Sequence, residues 1–259
     1  KLTESFINRF SGVGRLYGEA ALQNFSASHI AVIGVGGVGS WTAEALCRSG
    51  IGELTLVDMD EVCVTNTNRQ LHALNPTVGK TKVSVLKERL LDINPELKIH
   101  AIEDFLTAET KDEIFNAGFD VVVDAIDSLM NKAMLAVHCR EKNIPLVTVG
   151  GAGGKKDPTM IRTGDLAEST RDNLLKRLKK KLRVDFKFPR AGSMNILAVY
   201  SIENAMYPDE QGGVCFKKDL KDKTQAKLDC ATGMGTASFA TGTFGFAAAK
   251  LALDLILKK

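Results

Sequence analysis

Between residues 29 and 60 an apolar run, a glycine-rich turn, a helical stretch, a second apolar run and an acid follow one another. Few folds accommodate that order. Residues 30–33 are apolar and rich in β-branched side chains, the pattern of a strand buried on both faces. Gly34, Gly36 and Gly39 then complete G-x-G-x-x-G, with Gly37 a fourth glycine. Residues 38–48 read as a helix and 54–57 as a second strand, which Asp58 ends 19 residues after Gly39. Strand, turn, helix, strand and acid in this register form the nucleotide-binding fingerprint. The glycines let the backbone approach phosphate, and the helix N-terminus offers unpaired N–H groups and partial positive charge. Asp58 is placed to accept bonds from ribose hydroxyls.

The rest of the chain extends this beginning. Residues 6–25 read as an N-terminal helical arm carrying Arg9, Arg15 and Tyr17. Helices are expected at 79–94, 107–117 and 130–142, and strands at 99–102, 121–125 and 146–149. Such β–α alternation closes through right-handed crossovers into a doubly wound, Rossmann-like, mostly parallel α/β sheet. Strands expected at 160–163 and 197–202 have no β–α rhythm and suggest an antiparallel extension. Between them lies a basic helical insertion, 166–190. There are no repeats and no interdomain linker, so residues 1–259 form one domain. Residues 236–257 are apolar, but Thr241, Thr243, Lys250 and Asp254 interrupt them. They read as a buried helix or subunit contact rather than a membrane span.

Composition excludes several classes. The five cysteines (47, 63, 139, 215 and 230) are odd in number and none pair as C-x-x-C. That argues for a reducing compartment, without a disulfide framework or a cysteine-only zinc site. The polar opening K-L-T-E-S is no secretion signal. A cytoplasmic protein is the expectation. The net charge of +3 is too small to specify a partner.

Ligands of such sheets bind at the carboxyl ends of the strands, near the switch point. The glycine loop, Asp58, Asn66, Asn68, Arg69, Gln70, Asp124 and Asp127 all fall there, and Lys80 and Lys82 open a helix over the same rim. A dehydrogenase has no use for an arginine and a lysine near the phosphates plus an acid after the fourth strand. A nucleotidyl-transfer enzyme needs that set, because cations must neutralise a triphosphate and a carboxylate must hold Mg²⁺. Arg69 and Lys82 are therefore phosphate candidates and Asp127 the metal–phosphate candidate. Asp124, on a buried strand, is expected to make a structural bond.

The motifs G-V-G-G-V-G-S, L-V-D-M-D-E-V, T-N-T-N-R-Q, V-G-K-T-K and D-A-I-D-S, in that order, resemble the adenylating domain shared by MoeB, ThiF and the ubiquitin-activating enzymes. More narrowly, R-L-Y-G-E-A-A-L, D-M-D-E-V-C-V-T-N-T-N-R-Q and V-T-V-G-G-A-G-G are similar to the ATP-dependent tRNA threonylcarbamoyladenosine dehydratases of that superfamily. The resemblance implies that Gly34, Gly36, Gly37, Gly39, Asp58, Asp60, Asn66, Asn68 and Ser128 bind ATP. Arg69, Lys82 and Asp127 would handle its phosphates with Mg²⁺. It implies a homodimer in which an N-terminal arginine reaches the partner's site. Gly12 stands where siblings carry that arginine, so Arg15 is the substitute and Arg9 the runner-up. Siblings also carry two C-x-x-C zinc pairs that this chain lacks, so no zinc is implied there and sulfur-carrier activation is disfavoured. Cys230, in D-C-A-T-G-M-G, is the candidate for a covalent or sulfur-handling role, with Cys63 behind it. A cysteine desulfurase or sulfur-acceptor protein is the corresponding further partner.

The implied reaction adenylates the threonyl carboxylate on the adenosine next to the anticodon, after which the same side chain cyclises. A tRNA substrate gives the basic segment a purpose. Arg171, Lys176, Arg177, Lys179, Lys180, Lys181 and Arg183 crowd a helix whose apolar face is Leu174, Leu178 and Leu182, widened by Leu175. Six cations fall within residues 176–183 with no acid among them. That density fits a polyanion better than a solvated face. Lys217, Lys218, Lys221, Lys223 and Lys227 would extend the track. The alternatives are an activator of a ubiquitin-like sulfur carrier and a non-catalytic nucleotide-sensing scaffold.

Overall fold

In the computed structural model, residues 2–107, 109–216 and 234–258 are described. Seven strands form one sheet: β1 (His29–Ile33), β2 (Glu53–Val57), β3 (Lys98–Ile102), β4 (Val121–Asp124), β5 (Leu146–Val149), β6 (Ile161–Asp165) and β7 (Leu197–Ser201). Their order is β3-β2-β1-β4-β5-β7-β6. The chain winds outward one way from β1 to β3, then restarts at β4 and winds the other way. The switch point thus lies between β1 and β4, which are paired in parallel with Ile33 beside Asp124. Only β6 runs antiparallel; β7, expected within the antiparallel extension, is parallel to β5.

Successive residues of a strand face opposite sides, and the two cores show it. Ile30 and Val32 join Phe25, Leu46, Leu86 and Phe244 in one core, under α2 (Glu19–Ala27), α3 (Gly39–Arg48), α4 (Lys82–Ile93) and α8 (Ser238–Leu257). Ala31 and Ile33 join the other, under α5 (Lys111–Phe115), α6 (Leu129–Glu141) and α7 (Asn173–Asp185). α8 is long and apolar enough to cross a membrane, yet 61% of its most apolar window is buried in the protein. A Cβ on Gly245 would stand 2.7 Å from the carbonyl oxygen of Val38, so α8 lies directly on α3.

Several elements depart from expectation. The N-terminal arm is two helices, α1 (Glu4–Tyr17) and α2, divided at Gly18, whose φ is 96°. The helix expected from residue 79 starts at Lys82, because Gly79 is left-handed (φ 84°) and Thr81 is extended. The helix expected over 107–117 contracts to Lys111–Phe115. A short hairpin, β8 (Met206–Pro208) with β9 (Val214–Phe216), was not foreseen; three residues a side are too few to show a period. The stretch expected as an insertion carries α7. Its buried seam is Leu175, Leu178 and Leu182, each 0% exposed within the second core, while Leu174 turns to the cleft described next.

Candidate active site

A cleft of about 740 Å³ opens at the carboxyl ends of the strands, over the switch point. The glycine loop forms its floor, and each glycine has its own reason. Gly34 is left-handed (φ 85°), and a Cβ there would press on the Ala125 carbonyl at 3.0 Å. At Gly39 a Cβ would fall 1.8 Å from the Gly34 oxygen. Gly39 is therefore a packing residue that seats α3 on β1, and it does not line the cleft. Gly36 and Gly37 do line it.

Asp58 braces this loop. Its Oδ2 accepts from the backbone N–H of Val35 and its Oδ1 from that of Asp60, at 2.8 and 2.9 Å. Lys82, the first residue of α4, is 5% exposed. Its Nζ donates to Asp60 at 2.6 Å and lies 3.9 Å from Asp58. Cation and carboxylates thus hold one another at the rim, and an incoming triphosphate would compete for that ammonium. The N-T-N-R-Q segment forms the opposite wall. Asn66 is buried and accepts the Cys63 N–H through Oδ1. Asn68 donates to the Thr236 carbonyl. The backbone oxygen of Arg69 is gripped by Trp41 Nε1 and Thr241 Oγ1, both at 3.1 Å. The Arg69 guanidinium rests on the Thr65 carbonyl, 2.7 Å away, at the cleft edge.

Asp127 lines the mouth, exposed, with no hydrogen bond or ion pair to the described residues. The N-cap position of α6 belongs to Ser128, which also lines the cleft. Asp127 is thus not engaged in capping α6. Asp124 is structural, as expected. Its Oδ2 pairs with Lys132 Nζ at 2.9 Å and accepts from Thr148 Oγ1, and both charged side chains are 0% exposed. Its Oδ1 accepts the Ile126 N–H, which fixes the turn that presents Asp127.

Sequence reasoning missed two participants. Lys155, 6% exposed, lines the cleft beyond β5 and donates to the Glu203 carbonyl. Burial holds its ammonium below the usual lysine range. Asp172 caps α7 through the Leu175 N–H and also accepts from Gly151, each at 2.8 Å. His72, just beyond N-R-Q and outside the cleft lining, is structural: it is 1% exposed, neither ring nitrogen has a partner among the described residues, and burial pushes its pKa down to about 4. The glycine-flanked G-G-K-K and the D-x-x-L cap were the available signals for Lys155 and Asp172.

The basic segment divides. Arg171 joins the cleft mouth and donates to Asn204. Lys179 turns inward to the Ser169 carbonyl at 2.6 Å, Lys181 pairs with Asp185, and Arg183 donates to the Pro189 carbonyl. Lys176, Arg177 and Lys180 stay exposed, with no ion pair to the described residues. α1 packs Phe6 and Phe10 on Gly50, at the other end of the strands. Arg15, exposed on that helix, does not line the cleft of its own chain. Cys63 is exposed outside the cleft, and a hydrogen bond from Thr65 lowers its thiol pKa. Cys230 and the lysines at 217–227 lie outside the described residues.

The sequence profile of the ThiF family matches residues 11–259. A tRNA threonylcarbamoyladenosine dehydratase of Escherichia coli (strain K12) is 46% identical over 260 residues, covering 100% of this chain and 97% of that protein. A Haemophilus influenzae protein of the same name is 44% identical over 258 residues, covering 99% and 96%. The crystal structure of an E. coli tRNA N6-threonylcarbamoyladenosine dehydratase in complex with ATP superposes with a TM-score of 0.88 at 43% identity, covering 100% of this chain and 97% of that one.

Proposed function

The chain belongs to the ThiF family, and from that premise we propose that it is an ATP-dependent tRNA threonylcarbamoyladenosine dehydratase. The observation that carries this reading is the convergence of Lys82, Arg69 and Asp127 on one glycine-floored cleft, in a chain alike over its full length to dehydratases of that name.

ATP and the modified tRNA are the substrates. A threonyl carboxylate oxygen attacks the α-phosphorus, the bond to the bridging oxygen breaks, and pyrophosphate leaves with the electron pair. The carboxyl carbon of the mixed anhydride is then attacked by a nucleophile of the same side chain, and AMP leaves. ATP becomes AMP and pyrophosphate, and the nucleoside loses the elements of water. Residues of the chain contribute position and charge. Asp58 is assigned to the ribose, Asn66, Asn68, Arg69 and Lys82 to the phosphates, and Gly36 and Gly37 to close approach of the backbone. Asp127, an unpaired carboxylate at the mouth, fits Mg²⁺, which when bound would neutralise phosphate charge.

The exposed Lys176, Arg177 and Lys180 are assigned to tRNA phosphates, with Arg171 at the junction between helix and cleft. A homodimer brings Arg15 to the partner's cleft. Under that assignment, Arg15→Ala and Asp127→Ala are each inactive alone, and mixed dimers regain part of the activity. No recovery in mixtures shown to exchange subunits would refute it. The cytoplasm, where tRNA is modified, is the assigned compartment. A sulfur-carrier activator would use the same nucleotide residues, but the missing C-x-x-C pairs and the cations of α7 weigh against it. The deciding experiment is mass spectrometry of bulk tRNA nucleosides from a strain lacking this protein. The cyclic nucleoside should vanish and return with the intact gene; its persistence would overturn the reading.

A further inference from the structure

Far from the nucleotide cleft, at the amino ends of β1 and β2, two histidines and a glutamate meet. In the parallel register His29 lies beside Glu53, and Thr55 lies beside His100 on β3. Side chains in register share a face, so all four project to the same side of the sheet. One ring nitrogen from each histidine and one Glu53 oxygen lie within 4.8 Å of one another. His100 Nε2 is 2.8 Å from Glu53 Oε1, and His29 Nδ1 is 3.8 Å from the same oxygen.

The orientation of His29 adds a second, independent observation. Its Nε2 lies 2.8 Å from Thr55 Oγ1, and the Phe119 ring meets it edge-on at 4.9 Å. In the tautomer protonated at Nε2, which donates to Thr55, the Nδ1 lone pair is directed toward Glu53. Metal-bound imidazoles are commonly oriented in this way, by a hydrogen bond through the other nitrogen. Access is graded: the side chains of His29, Glu53 and His100 are 11%, 30% and 53% exposed. An ion could enter from solvent and keep a water on its open side. Two imidazoles and one carboxylate are a borderline donor set, suited to zinc with three protein ligands. An ordinary ion pair between His100 and Glu53 accounts for two of the three groups; the third, His29, is held beside them by Thr55 and Phe119.

We propose that His29, Glu53 and His100 bind a zinc ion, which clips the edge strand β3 to β2 and β1. On entry the ion displaces the proton that His100 shares with Glu53. Exposed edge strands invite pairing with other chains, and a clip on β3 would restrain that edge without touching the cleft.

The test is calorimetric titration of Zn²⁺ into the full chain, and into His100→Ala, Glu53→Gln and Thr55→Val, with ATP affinity measured on each. One ion per chain is expected. Binding should be lost in His100→Ala and Glu53→Gln and weakened about tenfold in Thr55→Val, where only the orienting bond is removed. Unchanged ATP affinity shows that the variants are folded. Substituted Co²⁺ should give visible bands of a nitrogen–oxygen site without thiolate charge transfer. Absence of stoichiometric binding to the unaltered chain, equal binding by all four proteins, or a thiolate band would each overturn the proposal.

Discussion

The lysines around the cleft and the cations of α7 are alike in chemistry and opposite in circumstance. Lys82, Lys132 and Lys155 are at most 6% exposed, and each has a specific oxygen partner, on Asp60, Asp124 and the Glu203 backbone. Lys176, Arg177 and Lys180 are exposed and share one helix surface. A buried charge must be paired because desolvation is costly, so its position is fixed and its removal is felt alone. An exposed charge is screened and interchangeable, and it acts through the summed field. Interior cations thus select geometry, and the helix cations collectively attract.

The largest expected effect comes from separating an interior pair. Asp124→Ala leaves Lys132 charged, buried and unpaired, and should destabilise the protein by about 3–5 kcal/mol in urea unfolding. Replacing both residues with apolar ones should restore much of the loss. A single-variant effect below about 1 kcal/mol would place the interior pair in the same class as a surface bridge.

Next in size are the cleft residues assigned to phosphate and metal. Lys82→Ala should slow pyrophosphate release by about 10²–10³-fold, the scale of losing one preorganised charge stabiliser. Asp127→Ala should keep ATP binding within roughly tenfold, about 1.4 kcal/mol, and abolish release. Normal release in either variant removes that residue from the mechanism.

His72 extends the comparison to protons. Its folded pKa, about 4, is below the ordinary 6.5. Above 6.5 it is neutral whether folded or unfolded, and there is no penalty. Below that value the unfolded chain binds a proton that the folded chain refuses, until the folded pKa is reached. Between pH 7 and 5 this should remove about 2 kcal/mol of stability. His72→Leu should flatten that dependence; an unchanged slope assigns the loss to other groups.

The smallest effects per residue belong to the helix. Replacing Lys176, Arg177 and Lys180 together by Glu should weaken tRNA binding and flatten its salt dependence, since fewer counterions are released. ATP affinity should be preserved. Lys179→Glu with Lys181→Glu should do less, because those two are already engaged with Ser169 and Asp185. Equal effects of the two sets would erase the distinction between free and engaged cations.

These contrasts also mark what the sequence disclosed. The strand–glycine–helix–strand–acid run, the parallel sheet and the rim set of Asp58, Lys82, Arg69 and Asp127 were legible because each is local or follows from topology. Gly39 was read as a ligand-binding glycine, yet its role is set by the Gly34 carbonyl, a contact no spacing reveals. The seam of α7 was misassigned at its first leucine, because Leu174 and Leu175 both satisfy a helical period and only the partner surface decides between them. Lys132 and Lys155 escaped notice because a lysine in an apolar setting looks solvent-seeking until its oxygen partner, distant along the chain for Lys155, is in place.

Asp172 gives the molecule a mechanical property. One carboxylate group accepts the Leu175 N–H at the start of α7 and the Gly151 N–H in the turn after β5, which borders the cleft. A Cβ on Gly150 would stand only 2.2 Å from the same carboxylate, so the joint has no slack. The start of the helix and the wall of the cleft are therefore coupled: a shift of either is passed to the other through two short hydrogen bonds to one side chain, while the leucine seam keeps the rest of the helix seated on the core.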